Sequence, residues 1–179
     1  GNSFTDAQFM SKLDMTNGLE TFVSYLKMID ARLRNVSLLS IGGQPTIYVD
    51  VGLKRKIPMV NMGEGISKLT SILTAILSNK NAIILIDEIE NGIHYSLMPK
   101  IWEIIFSAAQ KQNCQIFATT HSYDVIKGVS DFMRDNELDN SKNSFSYIRL
   151  DRNKEGVVVP KYYGPSALLT SVERDWDIR

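Results

Sequence analysis

The first 33 residues carry their apolar positions at helical spacing, after which the period shortens. Ala7, Met10 and Leu13 share one helical face, and Thr5-Asp6-Ala7-Gln8 has capping-box spacing, so a short helix is predicted there. A second helix is predicted from Leu19, Phe22, Val23, Leu26, Ile29 and Leu33, with Asn17 as its N-cap. Val36 to Ile41 and Thr46 to Val51 then read as strands joined by a Gly42-Gly43-Gln44-Pro45 turn. The polar stretch Gly52 to Lys56 leads into a short strand, Ile57 to Val60.

Beyond residue 60 the order becomes helix, strand, helix, strand. Ile66, Leu69, Ile72, Leu73 and Ile76 form one helical face. Ala82 to Ile86 is apolar at every position, the pattern of a strand covered on both sides. Leu97, Ile101, Ile104, Ile105 and Ala108 make the next helix, with Pro99 in its first turn. Gln115 to Thr119 is a further buried strand, and Ser122 is placed to cap the helix after it. Phe145 to Leu150 and Val157 to Tyr163 read as strands around a polar turn, Asp151 to Gly156. The class is α/β with an antiparallel portion.

Composition narrows the function more than the fold. The 179 residues are 44% hydrophobic and 22% charged, ordinary for one globular domain. Twenty Lys and Arg balance 20 Asp and Glu, which argues against attachment to nucleic acid or membrane through bulk charge. The single cysteine, Cys114, excludes an internal disulfide framework and a CxxC zinc site; His94 and His121 alone cannot build a multi-histidine cage. The longest apolar run is too short to span a bilayer, and no signal peptide is visible, so the expected compartment is the cytoplasm.

Four segments bear chemistry, each at the end of an element. Met62-Gly63-Glu64-Gly65 precedes the Ile66 helix, where glycines bring backbone N–H groups and a positive helix end toward an anion. The plainer alternative is a glycine turn that breaks a strand into a helix. Asp87-Glu88 ends the apolar strand, the end of an open α/β sheet where ligands bind. One carboxylate there can hold Mg²⁺ while the other polarises water; a solvated strand end is the alternative. Glu90-Asn91-Gly92-Ile93-His94 is a turn, with His94 more ordinary as a surface histidine than as a catalyst. Ala118-Thr119-Thr120-His121-Ser122 sets a histidine at the end of a second strand, within reach of a terminal phosphate.

Taken in order, these segments resemble an ABC-type ATPase head, with a close likeness to bacterial ATP-binding proteins of the SMC/RecF-like and OLD-like branch. Residues 62–69 look like the signature motif and its helix, Ile83 to Glu88 like Walker B, Glu90 to His94 like the D-loop, and Thr119 to Ser122 like the switch-histidine segment. The likeness spans 57–127 and is expected to reach Asp177-Ile178-Arg179. It implies ATP and Mg²⁺ as cofactors, with Asp87 orienting the metal, Glu88 polarising the attacking water and His121 contacting the γ-phosphate. It also implies that Gly63, Glu64 and Gly65 close on a nucleotide held by the opposite protomer of a dimer, with Glu90 and His94 across that interface.

The chain departs from this family in two places. Gly63 stands where the signature commonly has serine, which leaves only backbone donors. No Gly-x-x-x-x-Gly-Lys-Ser/Thr occurs anywhere, so the phosphate-cradling loop is missing. The chain therefore reads as the C-terminal lobe of a P-loop NTPase: a mostly parallel sheet flanked by helices, with antiparallel strands at the edges. Within this single partial domain, 1–35 is helical, 36–61 β-rich, 62–134 the motif-bearing core and 135–179 the closing strands and tail. The Gly1-Asn2 start fits a trimmed chain. Alone it is expected to bind ATP poorly and to expose apolar surface that favours self-association. The expected function is Mg·ATP-dependent dimerisation and hydrolysis controlling a partner, with a TOPRIM-type nuclease in DNA maintenance or phage defence implied by the OLD-like likeness. DNA contact is not indicated by charge. The alternative is a non-catalytic interaction module that turns over no ATP.

Overall fold

The computed structural model describes residues 3–41, 43–136 and 145–174. The chain divides into two compact units, residues 1–120 and 121–179.

In the first unit, α1 (Ser3–Met15) begins two residues before the predicted capping box, so Thr5 lies inside the helix. Ala7, Met10 and Leu13 are buried as their spacing requires. Asn17 is not the cap of the next helix. It takes a left-handed φ of 55° that closes α1, and the Gly18 N–H bonds back to the Leu13 carbonyl at 2.8 Å. Gly18 then caps α2 (Leu19–Lys27), whose first turn closes with Phe22 N–H on the Gly18 carbonyl. This helix stops before Ile29 and Leu33, although Leu33 is still buried from the turn that follows.

β1 (Asn35–Ile41) and β2 (Gln44–Asp50) form an antiparallel hairpin in which Ile41 faces Gln44. The loop is thus shorter than predicted, with Gln44 and Pro45 already in the strand. Gly42 lies outside the described residues, as do Asp177-Ile178-Arg179. β3 is only Ile57–Pro58, since Met59–Met62 coils into a 3-10 turn that buries Met59 and exposes Val60.

α3 (Glu64–Leu77) carries the core of this unit. Leu69, Leu73 and Ile76 are fully buried, and Ser71 Oγ donates to Asp6 Oδ2 at 2.6 Å, tying α3 to α1. β4 (Ile83–Ile86) follows, then a 3-10 turn at Tyr95–Leu97, α4 (Met98–Gln112) and β5 (Gln115–Ala118). Pro99 sits in the first turn of α4, where no N–H is needed, and Ile101, Ile104, Ile105 and Ala108 are buried. β4 and β5 pair in parallel, with Ile86 opposite Ala118.

The second unit comprises α5 (Tyr123–Asp135), the antiparallel hairpin β6 (Tyr147–Arg152) and β7 (Val158–Tyr163), and α6 (Pro165–Glu173). Ser122 caps α5 as predicted, its hydroxyl accepting from Asp124 N–H. Val125, Ile126, Val129, Phe132 and Met133 bury one face of α5, and Leu168 is the fully buried residue of α6.

Expectations about coverage fail for both strands of the parallel pair, since no residue of β5 is buried. The β4 sequence is apolar at every position, yet only Ile86 is buried, while Ile83 is 65% and Leu85 77% exposed. Phe117, opposite Leu85 on β5, is 50% exposed. One face of the parallel pair rests on the helices and the other is open.

Candidate functional site

The open ends of β4 and β5 bring together two of the four predicted segments' key features. Asp87 and Glu88 follow β4 directly, Asp87 exposed and Glu88 half-buried. Parallel pairing places Thr119 beside them: its N–H donates to the Ile86 carbonyl at 2.9 Å, and its carbonyl accepts from Ile89 N–H at 3.1 Å. The Thr119 hydroxyl accepts from Glu88 N–H at 2.9 Å and lies 2.6 Å from Asp87 Oδ1, to which it donates. From α3, Lys68 Nζ donates to the Asp87 carbonyl at 2.9 Å. Neither Thr119 nor Lys68 is distinguished as a site residue by sequence.

Glu88 carries a φ of 44°, uncommon for a residue with a Cβ and characteristic of functional turns. Its carbonyl accepts from Asn91 N–H at 3.1 Å, and Asn91 Nδ2 donates to Glu88 Oε2 at 2.6 Å. A second turn follows as Ile93 N–H bonds to the Glu90 carbonyl at 2.9 Å. Glu90 is half-buried within this double turn, and Ile89 beside it is fully buried.

The glycine segment meets the same turn. Gly63 has φ 98° with open space where a Cβ would stand. A Cβ on Gly65 would come within 2.9 Å of the Gly92 carbonyl, and one on Gly92, at φ 76°, within 2.6 Å of Glu64 Cβ. Gly65 is therefore glycine for close packing within the chain, while Gly63 and the exposed Glu64 remain outward. The N-terminus of α3 and the turn after β4 consequently form one surface.

His94 is an exposed cap. Its Nδ1 accepts from Ser96 N–H at 3.4 Å and lies 2.9 Å from Ser96 Oγ, and its ring stands 4.4 Å from that of Tyr95. This is the turn-histidine role, and it leaves the residue at the surface where an interface contact remains open to it. His121 is exposed and opens the second unit, immediately before the Ser122 cap.

The carboxylates suit Mg²⁺ in particular. Among the described residues no group of three or more His, Cys, Asp or Glu is placed to hold a metal alone. Mg²⁺ is ordinarily held through one or two carboxylates together with substrate phosphates and water. Asp87 fits that pattern, with one carboxylate oxygen fixed by Thr119 and its side chain open to solvent. No helix among the described residues is long and apolar enough to cross a membrane.

Comparison with known proteins bears on the family and the fold. The protein described as ATP/GTP phosphatase from Helicobacter pylori (strain ATCC 700392 / 26695) is 29% identical over 162 residues, covering 88% of this chain. The chain spans only 42% of that relative's length. Two solved structures share the fold at a TM-score of 0.55 each. One, from work on ATP-driven dimerization and DNA-stimulated activation of SMC ATPases, is 12% identical and matches over 92% of this chain and 96% of its own. The other, the Smc head domain bound to the C-terminal domain of ScpA from Pyrococcus furiosus, is 11% identical and matches over 88% and 37%. These likenesses establish the α/β, P-loop NTPase-like fold; among the described residues the parallel pair β4–β5, the antiparallel β1–β2–β3 and the antiparallel β6–β7 are separate sheets. The family described as "AAA domain, putative AbiEii toxin, Type IV TA system" matches residues 4–127, more than half the chain and every segment from α1 into α5, and the chain belongs to that family.

Proposed function

We propose that the chain is the hydrolytic, C-terminal lobe of an ABC-type ATPase. The observation that carries this reading is the strand-end acidic pair, Asp87 and Glu88, held beside the glycine-led helix α3 by Lys68 and Thr119. Asp87 orients Mg²⁺ and its water shell. Glu88 accepts the proton of the water that attacks the γ-phosphorus. Mg²⁺ held at Asp87 would supply positive charge against the phosphoryl oxygens. His121 supplies the contact to the γ-phosphate, as the switch-histidine likeness implies.

Gly63, Glu64 and Gly65 present the N-terminal end of α3 to a nucleotide held by a second copy, with Glu90 and His94 at the same interface. The outward, unobstructed Gly63 supports that assignment. ATP itself is held chiefly by a P-loop that these 179 residues do not contain. The 42% span of the Helicobacter relative and the open β4–β5 face both support a covering lobe elsewhere in a longer protein. A TOPRIM-type nuclease partner, in DNA maintenance or phage defence, rests on the OLD-like motif resemblance.

The open apolar face also favours a second reading, a non-catalytic association module. Glu88→Gln in the full-length protein separates the two. The variant keeps the side chain's shape and hydrogen bonding but not its basicity, so the ATPase reading expects retained Mg·ATP binding and a roughly 10²–10⁴-fold loss of turnover. Unchanged turnover refutes the role of Glu88. Absence of both binding and turnover in the unsubstituted protein favours the association module.

A further inference from the structure

Thr119 touches the acidic strand end four times, and only two of those contacts need its side chain. The backbone bonds to Ile86 and Ile89 follow from parallel pairing and are open to any residue but proline. The hydroxyl contacts are different. Glu88 N–H can only donate, so Thr119 Oγ1 accepts it, and the hydroxyl's own proton is left for Asp87 Oδ1 at 2.6 Å. One oxygen atom thus fixes a main-chain donor of Glu88 and a carboxylate oxygen of Asp87.

The Glu88 backbone gives this clamp its importance. At φ 44° the residue sits where side-chain-bearing residues rarely stay unless their surroundings hold them. The Thr119 hydroxyl holds it from the N–H side, and the Asn91 N–H holds the carbonyl side. Relaxing φ would swing the direction in which the Glu88 side chain leaves the backbone. Releasing Oδ1 would let the Asp87 carboxylate rotate about its terminal torsion.

We propose that Thr119 is a positioning residue for the acidic pair, aiming the Asp87 carboxylate and pinning the left-handed turn of Glu88 through a single hydroxyl. This rests on the reading of Asp87 and Glu88 given above. Threonine suits the place because its β-branch favours the extended backbone just after β5, while the hydroxyl does what valine of the same shape cannot.

The test compares Thr119→Val with Thr119→Ser. On the chain itself, NMR-detected hydrogen exchange at the Glu88 amide is expected to quicken about three- to tenfold in the valine variant, the range for losing one net hydrogen bond, and to stay near the original rate in serine. In the full-length protein, kcat is expected to fall about ten- to a hundredfold in valine with KM for ATP within about twofold, and serine is expected to restore it. Exchange and kcat both unchanged in valine overturn the proposal. Equal losses in valine and serine also overturn it, because they mark a packing role rather than a hydroxyl role. Asp87→Asn and Glu88→Gln serve as the reference. Full turnover in those two refutes the acid-pair reading; their inactivity beside a fully active Thr119→Val refutes the role of Thr119 alone.

Discussion

Asp151 lies between two cations on the β6–β7 hairpin, bonded by Arg149 through Nε at 2.6 Å and Nη2 at 3.0 Å and by Lys161 Nζ at 2.6 Å. Arg149 and Lys161 face each other directly across the strands, an arrangement of like charges that opposes pairing unless an anion intervenes. The Arg149 hydrogen bond, reinforced by Lys161, lowers the Asp151 carboxyl from 3.8 to about 2. A carboxyl depressed in the folded state stabilises it above the unfolded value and loses that contribution as pH falls through the folded one. Hairpin stability is therefore expected to decline from about pH 4 toward pH 2. Asp151→Asn is expected to flatten that decline. Hydrogen exchange of the β6–β7 amides at pH 2–5 in both proteins checks it, and identical profiles would exclude Asp151. Lys161 joins this cluster only through cross-strand register, and Asp151, read from sequence as the start of the polar turn, proves to lie in β6 two residues from Arg149. Thr119 and Lys68 likewise escaped notice. Asp87 and Glu88 stand out because two acids directly after an apolar run break a pattern. Their partners come from 19 and 32 positions away in sequence, and only the β4–β5 pairing and the α3 docking select them.

Elements show a similar division between what periodicity can and cannot settle. The helical faces of α3 and α4 are legible because an amphipathic period persists over about three turns. The same reasoning carries α2 too far, because Leu33 keeps helical spacing by coincidence once the chain has turned after Lys27. It also calls β4 covered on both faces, since an all-apolar strand says what could be buried and not what is present to bury it. Turn glycines are legible as turns, but their tertiary role is not. Gly43 and Gly92 both have positive φ, of 85° and 76°, yet only Gly92 is packed, its missing Cβ facing Glu64. Gly43→Ala is expected to cost about 1 kcal/mol, the backbone penalty alone. Gly92→Ala adds overpacking against the start of α3 and is expected to cost about 2–4 kcal/mol. Denaturant unfolding of this chain compares them, and equal midpoints would show that the turn after β4 yields to the glycine segment without strain.

At the scale of the whole molecule, the unanswered requirement is the open side of the parallel pair. Ile83, Leu85 and Phe117 are 65%, 77% and 50% exposed, and among the described residues β4 and β5 each have an unpaired edge in their two-stranded sheet. Soluble proteins rarely leave such a combination uncovered, because apolar area and unsatisfied strand edges both recruit another chain. In the ATPase-lobe reading the natural cover is the P-loop half, and in its absence copies of the chain are expected to cover one another. Sedimentation velocity at tens of micromolar is therefore expected to show dimers or larger species without nucleotide. Leu85→Lys places a charge on a side chain that is already in solvent, so it is expected to change stability by no more than about 0.5 kcal/mol while shifting the chain toward monomer. The independence from nucleotide matters. In the proposed function, engagement through Gly63 and Glu64 would require ATP between two copies, whereas association through β4 and β5 would require only the bare sheet. A monomer in the unsubstituted chain, or equal association of Leu85→Lys, removes this face as the contact. Association abolished by Leu85→Lys, with added Mg·ATP making no difference, places self-association on the uncovered sheet and leaves the glycine-led surface for the nucleotide.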